Sequence, residues 1–230
     1  MAPFRLGLSM TLRPLTDLSP ADWFLADDAP LMLRASLGPS GFEAYARVLH
    51  SAMNPGDGDR YEGHLEESLL TPLCEVLSLH TTTPDDCYFA LWEGYGDIYG
   101  GHSAGFLTAF SGSPRWPARI FTKEKPPPPV PPAFPSRVMD GPRLDANRAD
   151  HFLFGGPLAE AGQWGASSYG HGIPRDINSP NLMWPADHAW FVTTNIDSEW
   201  TGVGGSAQLI NDLLNETLLE VVRTRYEDRP

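Results

Sequence analysis

Three short apolar runs mark the centre of the predicted sheet. Residues 87–92 read CYFALW, residues 151–154 read HFLF, and residues 189–194 read AWFVTT. Continuous runs of this length, rich in aromatic and β-branched side chains, are typical of strands that are buried on both faces. We therefore expect these segments to form the core strands of the fold.

Alternating apolar and polar positions predict a hairpin earlier in the chain. Apolar residues occupy every second position over 31–37, and a turn that contains glycine and proline follows at 38–41. The same alternation resumes over 42–48. Residues 42–49 also fit a helical spacing, but the turn and the matching first arm favour a strand. A last strand is predicted over 219–222, unless the preceding helix simply continues.

Apolar residues at spacings of three and four predict two amphipathic helices. One covers residues 65–80, where Pro72 is expected to kink the helix or delay its start. The other covers residues 206–215, with Ser206 as its N-cap. Ser19, followed by proline, predicts the capped start of a further short helix.

The order of these elements sets the expected fold class. Strands and helices do not alternate as they do in βαβ units, so we expect an α+β fold. The prediction is a single domain over residues 1–230, with a mixed, largely antiparallel sheet of five or six strands and helices on one side. Residues 125–135, KPPPPVPPAFP, favour polyproline II and predict a stiff surface loop, or a ligand for a proline-reading module.

The charge balance restricts the classes of partner. The chain has 16 Lys and Arg against 29 Asp and Glu, a net charge of −13. Its basic residues are scattered, so the basic surface that nucleic-acid binding needs is not indicated. The sequence has no apolar run long enough for a membrane helix and no apolar core or cleavage site of a signal peptide near its start. We expect a cytoplasmic protein whose acidity keeps it soluble or docks another protein with a basic surface.

The cysteines and histidines predict neither a metal site nor a cofactor. Cys74 and Cys87 lie in apolar patterns and are expected to be buried free thiols. The seven histidines show no HExxH or HxH spacing, so no metal site is predicted.

Acidic and aromatic residues gather around the ends of two predicted strands and form the candidate binding site. Its members are Trp92, Glu93, Tyr95, Trp184, Asp187, His188, Asp197, Glu199 and Trp200. A carboxylate and an imidazole at neighbouring strand ends can supply acid–base chemistry. The alternative is that these charges cap turns and pair at the surface.

Two glycine motifs suggest further chemistry. The cluster GVGGS at 202–206 precedes a predicted helix, where the backbone N–H groups of Gly204, Gly205 and Ser206 could hold an anion. Close packing and an N-cap are the alternative, because the nucleotide-binding fingerprints are absent. Residues 101–105, GHSAG, match Gly-x-Ser-x-Gly with Ser103 as nucleophile, but the flanking residues favour a loop over the required strand–turn–helix.

Three blocks carry a resemblance to known sequences. They are TPDDCYFALWEGYG at 83–96, HFLFGGPL at 151–158, and SPNLMWPADHAWFVTTNID at 179–197. Together they resemble an uncharacterised family of bacterial proteins, over about half of the chain. The resemblance implies a cytosolic bacterial protein and carries no activity, cofactor or catalytic residue.

Taken together, these patterns favour a non-enzymatic protein-binding module, comparable at the level of class with immunity proteins or antitoxins. The alternative is a small hydrolase. Its pocket would lie near Glu93, His188 and Asp197, or it would use Ser103 as nucleophile.

Overall fold

A computed structural model describes residues 12–53, 60–100, 130–169, 173–175 and 177–227. The chain divides into two compact units. One comprises Met1–Trp92, Pro142–Trp164 and Asn178–Pro230, and the other Glu93–Gly141 and Gly165–Ile177. The single domain expected from the sequence stays a prediction. The GHSAG motif and residues 125–129 of the proline-rich run lie outside the described residues.

The described part of the first unit contains nine strands and four helices. The strands are β1 (Arg13–Pro14), β2 (Ala44–Leu49), β3 (Cys87–Trp92), β4 (Leu144–Ala146), β5 (Ala149–Gly156), β6 (Leu182–Pro185), β7 (Phe191–Thr194), β8 (Trp200–Gly205) and β9 (Val221–Thr224). The helices are α1 (Asp22–Leu25), α2 (Leu31–Leu37), α3 (Glu67–Ser78) and, near the end of the chain, α6 (Ala207–Asn215). The second unit contributes α4 (Gly96–Tyr99) and α5 (Ser136–Met139).

One antiparallel sheet contains all of these strands. Its order is β1-β5-β3-β6-β7-β8-β2-β9, and β4 pairs with β5 on the same edge as β1. The α+β class is confirmed, and the sheet is larger than the five or six strands expected. Strand β6 contains a proline and β8 three glycines, residues that are depleted in strands, so the sequence pattern concealed both.

The first arm of the predicted hairpin is a helix, so that prediction was wrong. Helix α2 buries Leu37 and leaves Met32 60% exposed. It ends at Gly38, whose φ of +83° favours glycine. Its backbone lies so close to β8 that a Cβ atom at Gly202 would come within 2.1 Å of the Ser36 carbonyl oxygen. The second arm is a strand, β2, as favoured from the sequence.

Helices cover both faces of the sheet, whereas one covered face was expected. On one face Phe24 of α1 packs against Trp184 and Phe191, with ring centroids 4.9 Å apart in each pair. On the other face the Trp190 indole N–H donates to the Leu77 carbonyl of α3 at 3.1 Å. Burial of β3 on both faces follows from this arrangement and agrees with its continuous apolar sequence.

The two amphipathic helices are confirmed, with shorter bounds for α3. Pro72 lies inside α3 without ending it, and Ser206 caps α6 by accepting the Leu209 amide at 3.1 Å. The first helix differs from expectation, because Ser19 makes no side-chain cap and a 3₁₀ turn at Ser19–Ala21 precedes α1. The last strand, β9, is confirmed.

Arg175 organises the described part of the second unit. Its guanidinium donates to the backbone carbonyls of Ser167, Asp97 and Pro131 and lies 4.4 Å from the ring centroid of Tyr169. Burial lowers the pKa of Arg175 from its usual value, with opposing contributions from Tyr169 and Asp97. One cation therefore holds together segments from the two chain stretches of this unit.

Candidate functional site

The structure distributes the predicted site residues over several places, beginning with the core. Trp184 is fully buried, and its indole N–H donates to the Pro20 carbonyl at 3.2 Å. Its ring stacks with Phe191 at a centroid distance of 5.9 Å and with Tyr88 at 5.5 Å. Trp184 thus stabilises the packing of α1 and the preceding turn on the sheet.

Asp187 fastens the turn between β6 and β7 to the loop after α3. Its carboxylate accepts the Thr82 amide at 2.6 Å and the hydroxyls of Thr81 and Thr82 at 2.8 Å each, and it also accepts the Ala189 amide. Partial burial raises the pKa of Asp187, but these hydrogen bonds outweigh burial and lower the pKa below its usual value. The carboxylate is therefore held ionised in a structural role.

His188 stacks on Trp23 at the same turn. The ring centroids lie 4.3 Å apart and the planes are 15° from parallel. The backbone of His188 is left-handed, with φ of +56°, which is uncommon for a residue with a side chain. Burial lowers the pKa of His188, and the nearby Asp187 charge opposes this shift. The imidazole faces an indole in this arrangement.

Glu199 and Trp200 lie beside the end of β2. The Glu199 carboxylate accepts the Arg60 amide at 3.4 Å, and the Glu199 carbonyl accepts the His50 amide. The Arg47 guanidinium lies 4.6 Å from the ring centroid of Trp200, a cation–π contact. Both residues thus contact neighbouring groups within the described structure, near the end of β2.

Two members of the predicted set, Trp92 and Asp197, line one cavity of about 250 Å³, which we call the strand-end cavity. Strand β6 begins at Leu182, opposite Ala90 and Thr193, whereas β3 continues to Trp92. Neighbouring strands lie about 4.8 Å apart, so a missing strand leaves a slot about 10 Å wide between its flanking strands. The cavity occupies this end of the sheet, and Ala35 of α2 also lines it.

The turn with Asp187 and His188 lies at the opposite end of the same strands. Cys87 at the start of β3 pairs with Pro185, just before that turn, while Trp92 ends β3 at the cavity. Five residues of extended chain span about 17 Å. Asp187 and His188 therefore do not share a cavity with Trp92 and Asp197.

Buried polar side chains are concentrated around the strand-end cavity. Of the eight that are buried among the described residues, four line it: His151, Asn181, Thr193 and Thr194. Asn181 replaces the missing strand, because its Oδ1 accepts the Trp92 amide at 2.8 Å and its Nδ2 donates to the Thr194 carbonyl at 3.3 Å. The Thr193 hydroxyl donates to the Ala35 carbonyl at 3.0 Å. These hydrogen bonds within the protein fix the polar side chains that line the cavity.

His151 contributes a neutral imidazole to this wall. Its Nδ1 donates to the Ala149 carbonyl at 2.9 Å. Burial lowers the pKa of His151, and this hydrogen bond opposes the shift only in part. His151, Asn181 and Thr193 were not predicted as site residues from the sequence. The available signal was a polar residue at the end of an otherwise apolar strand.

A second buried polar chain connects β2 to β7 and β8. His50 Nδ1 donates to the Tyr61 carbonyl at 2.8 Å, Nε2 accepts the Thr201 hydroxyl at 2.9 Å, and Thr194 donates to Thr201 at 2.9 Å. Burial lowers the pKa of His50, so this neutral tautomer fits the chain of acceptors and donors. His50 was not among the predicted site residues.

A larger groove of about 410 Å³ runs along α3, and we call it the α3 groove. Its lining residues are Glu67, Leu70, Thr71, Cys74, Glu75, Ser78, Pro84, Asp85, Leu158, Ala159, Ala161 and Gln163. Exposed Glu67, Glu75 and Asp85 surround an apolar floor that includes Leu70 and Leu158. Cys74 and Cys87 are buried free thiols, as expected, and burial raises the pKa of each to about 12, so neither is a ready nucleophile.

The glycines of the cluster lie in strand β8, directly before Ser206 and α6. A Cβ at Gly204 would come within 2.7 Å of the Phe42 ring and 2.8 Å of the Tyr45 ring, so close packing favours glycine there, and one at Gly205 would come within 2.5 Å of the Leu209 side chain. At the start of α6, the Ala207 amide donates to the Glu43 carboxylate at 2.9 Å. Anion binding by Gly204, Gly205 and Ser206 stays a prediction, and an anion there would compete with Glu43.

The remaining predicted residues belong elsewhere. Glu93 and Tyr95 are part of the second unit, and Ser103 lies outside the described residues. Within the described ranges, no three His, Cys, Asp or Glu side chains converge as a metal site would require. The helices described are all too short or too polar to cross a membrane.

Comparison with protein-family models, with curated proteins and with solved structures gives no significant match to this chain. The resemblance of its three sequence blocks to a bacterial family stays a prediction. Function is therefore inferred from the geometry of the cavity and the groove.

Proposed function

We propose that this chain is a non-enzymatic protein-binding module of the bacterial cytoplasm, with an immunity- or antitoxin-like role as the class-level analogy. In this proposal the α3 groove takes a partner segment that carries apolar and basic side chains. The observation that carries the proposal is the composition of the groove. Its floor is apolar, carboxylates of Glu67, Glu75 and Asp85 surround it, and its lining residues include no Lys or Arg.

Charge complementarity identifies the kind of partner. Three carboxylates around one groove, on a chain with a net charge of −13, attract a basic segment and disfavour an acidic one. Apolar side chains of the partner would be removed from water by contact with Leu70 and Leu158. Burial of apolar surface contributes a favourable free energy of about 25 cal/mol per Å². Binding of this kind weakens as salt is added, because exposed charges are screened.

The catalytic alternative has less support among the described residues. Asp187 is engaged by threonine donors, and His188 faces the ring of Trp23. A described imidazole does meet a carboxylate at 2.8 Å, between His80 and Asp212, but this pair joins the end of α3 to α6. It also lines neither the α3 groove nor the strand-end cavity.

Affinity capture with matched charge variants tests the proposal. Wild-type protein, the groove variant Glu67→Lys/Glu75→Lys and the control variant Asp145→Lys/Asp150→Lys are each immobilised and exposed to host lysate. Both variants change the net charge equally, but the control carboxylates are exposed on the β4–β5 hairpin and do not line the groove. Bound proteins are quantified, and the affinity of any purified partner is then measured by calorimetry.

We expect a partner that binds the wild type and the control variant alike and the groove variant at least tenfold more weakly. The groove variant loses two attractive charges beside the groove and gains two repulsive ones. We expect the resulting loss of binding free energy to exceed about 1.4 kcal/mol, which corresponds to a tenfold change in affinity. The partner segment should be basic, and its binding should weaken with salt. Recovery of no specific partner, or equal binding to the groove variant, would contradict the proposal.

A further inference from the structure

The mouth of the strand-end cavity presents one cationic and one anionic side chain from different turns. Arg148 comes from the turn between β4 and β5, and Asp197 from the turn between β7 and β8. Both residues are exposed. Neither side chain forms a hydrogen bond or ion pair with another residue in the described part of the chain. Two opposite charges thus remain available at the entrance of one cavity.

The turn that carries Arg148 is strained. Asn147 and Arg148 both have left-handed backbones, with φ of +55° and +65°. A two-residue hairpin turn of this kind prefers glycine at its second position, and a longer side chain there costs about 1–2 kcal/mol. Strain of this kind is found disproportionately at ligand sites, where a particular side chain is needed at that position. The Arg148 side chain is therefore placed at the mouth at an energetic cost.

The interior of the cavity is held rigid by its own hydrogen bonds. Asn181 is fixed between the Trp92 amide and the Thr194 carbonyl, and Thr193 is fixed to α2. At the mouth, the Asp197 amide donates to Asn195 Oδ1 at 3.0 Å, which sets the direction of that turn. The wall of the cavity therefore need not rearrange when a ligand binds, which limits the loss of conformational entropy to the ligand and the side chains at the mouth.

The volume limits the size of the ligand. One water occupies about 30 Å³ in the liquid, so 250 Å³ corresponds to roughly eight waters. This is smaller than the cavities that hold drug-sized ligands, about 300 Å³ or more. The ligand class is therefore a metabolite of roughly ten non-hydrogen atoms or fewer. The Trp92 ring offers an amphipathic surface for its less polar part.

We infer that the strand-end cavity binds a free α-amino acid, with Arg148 holding the carboxylate and Asp197 the ammonium group. A guanidinium pairs with a carboxylate through two parallel hydrogen bonds, and a carboxylate accepts readily from an ammonium group. A ligand with only one of these charges leaves the other protein charge unmatched. This inference is independent of partner docking at the α3 groove.

Calorimetry and thermal-shift measurements with defined probes test this inference. The probes are the common α-amino acids, each at up to about 10 mM, since a ligand at free concentration L that binds the folded protein stabilises it by RT ln(1 + L/Kd) and so raises its melting temperature. For any amino acid that binds, the matched amine without the carboxylate and the matched acid without the amine serve as one-charge probes. The variants are Arg148→Gln and Asp197→Asn, with Arg13→Gln and Asp145→Asn as exposed controls outside the cavity.

We expect at least one amino acid to bind the wild type, and each one-charge probe to bind at least tenfold more weakly. Arg148→Gln and Asp197→Asn should each weaken binding at least tenfold, while the two controls keep wild-type affinity. A panel in which no amino acid binds would overturn the inference. Binding that survives both cavity substitutions, or that a one-charge probe reproduces with equal affinity, would overturn it as well.

Discussion

Substitution of Gly202 by alanine should displace α2 from the sheet. An alanine Cβ would lie 2.1 Å from the Ser36 carbonyl oxygen and 3.0 Å from the Leu37 Cα, both backbone atoms. A backbone atom cannot rotate away as a side chain can, so helix or strand must shift. Overpacking in cores costs about 1–3 kcal/mol, and a backbone clash belongs near the upper limit. We expect a loss of about 3 kcal/mol in unfolding free energy and a drop of roughly 6–12 °C in melting temperature.

Urea denaturation of purified Gly202→Ala and of Gly155→Ala separates this clash from a general effect of replacing glycine in a strand. The nearest atoms to a Cβ at Gly155 all belong to the flexible Leu15 side chain, with Cδ1 the nearest at 3.2 Å. Gly155→Ala should therefore stay within about 1 kcal/mol of the wild type. Equal unfolding free energies for the two variants, within about 0.5 kcal/mol, would refute the close approach of α2 to β8.

Three further perturbations probe the polar framework. Asn181→Ala should lower the unfolding free energy by about 2–4 kcal/mol in urea titrations, because the partly buried Trp92 amide and the buried Thr194 carbonyl lose the Asn181 side chain as partner. Ser206→Ala should cost about 1 kcal/mol in the same assay by removing the α6 N-cap, and an unchanged midpoint would contradict that cap. Burial lowers the pKa values of His50 and His151, so the unfolded state takes up protons first, and stability should fall as pH drops below about 6.5. His151→Asn should reduce the slope of unfolding free energy against pH between about pH 7 and pH 5, and an unaltered slope would count against a buried neutral His151.

The candidate cavity could be foreseen from the sequence only in part. Trp92 and Asp197 were predicted because Trp92 ends one apolar run and Asp197 follows another, and both line the strand-end cavity. Asn181 and His151 were not predicted, because their importance depends on where β6 begins. Its first residue, Leu182, lies opposite Ala90, whereas β3 continues beyond this point to Trp92. That difference in register arises from pairing between distant strands, and local spacing carries no record of it.

The grouping of the aromatic residues was likewise decided by tertiary contacts. Trp184 and Asp187 are three positions apart, yet one is enclosed by α1 and the other is held by threonines after α3. Proximity along the chain suggested one site. An extended strand instead places successive residues on opposite faces and carries its two ends far apart.

The sequence by itself determined the elements whose hydrophobic period is long and regular. The apolar runs of β3, β5 and β7, the spacing in α3 and α6, and the α+β class follow from burying one or two faces of each element. Only the tertiary structure decided that residues 31–37 form a helix, whose backbone at Ser36 and Leu37 packs closely against Gly202. Gly202 has the same origin, since a strand normally avoids glycine unless another backbone must approach it closely, whereas Gly204 and Gly205 face the side chains of Phe42 and Leu209. Where the sequence pattern was compatible with either a helix or a strand, packing between segments far apart in the chain determined which one formed.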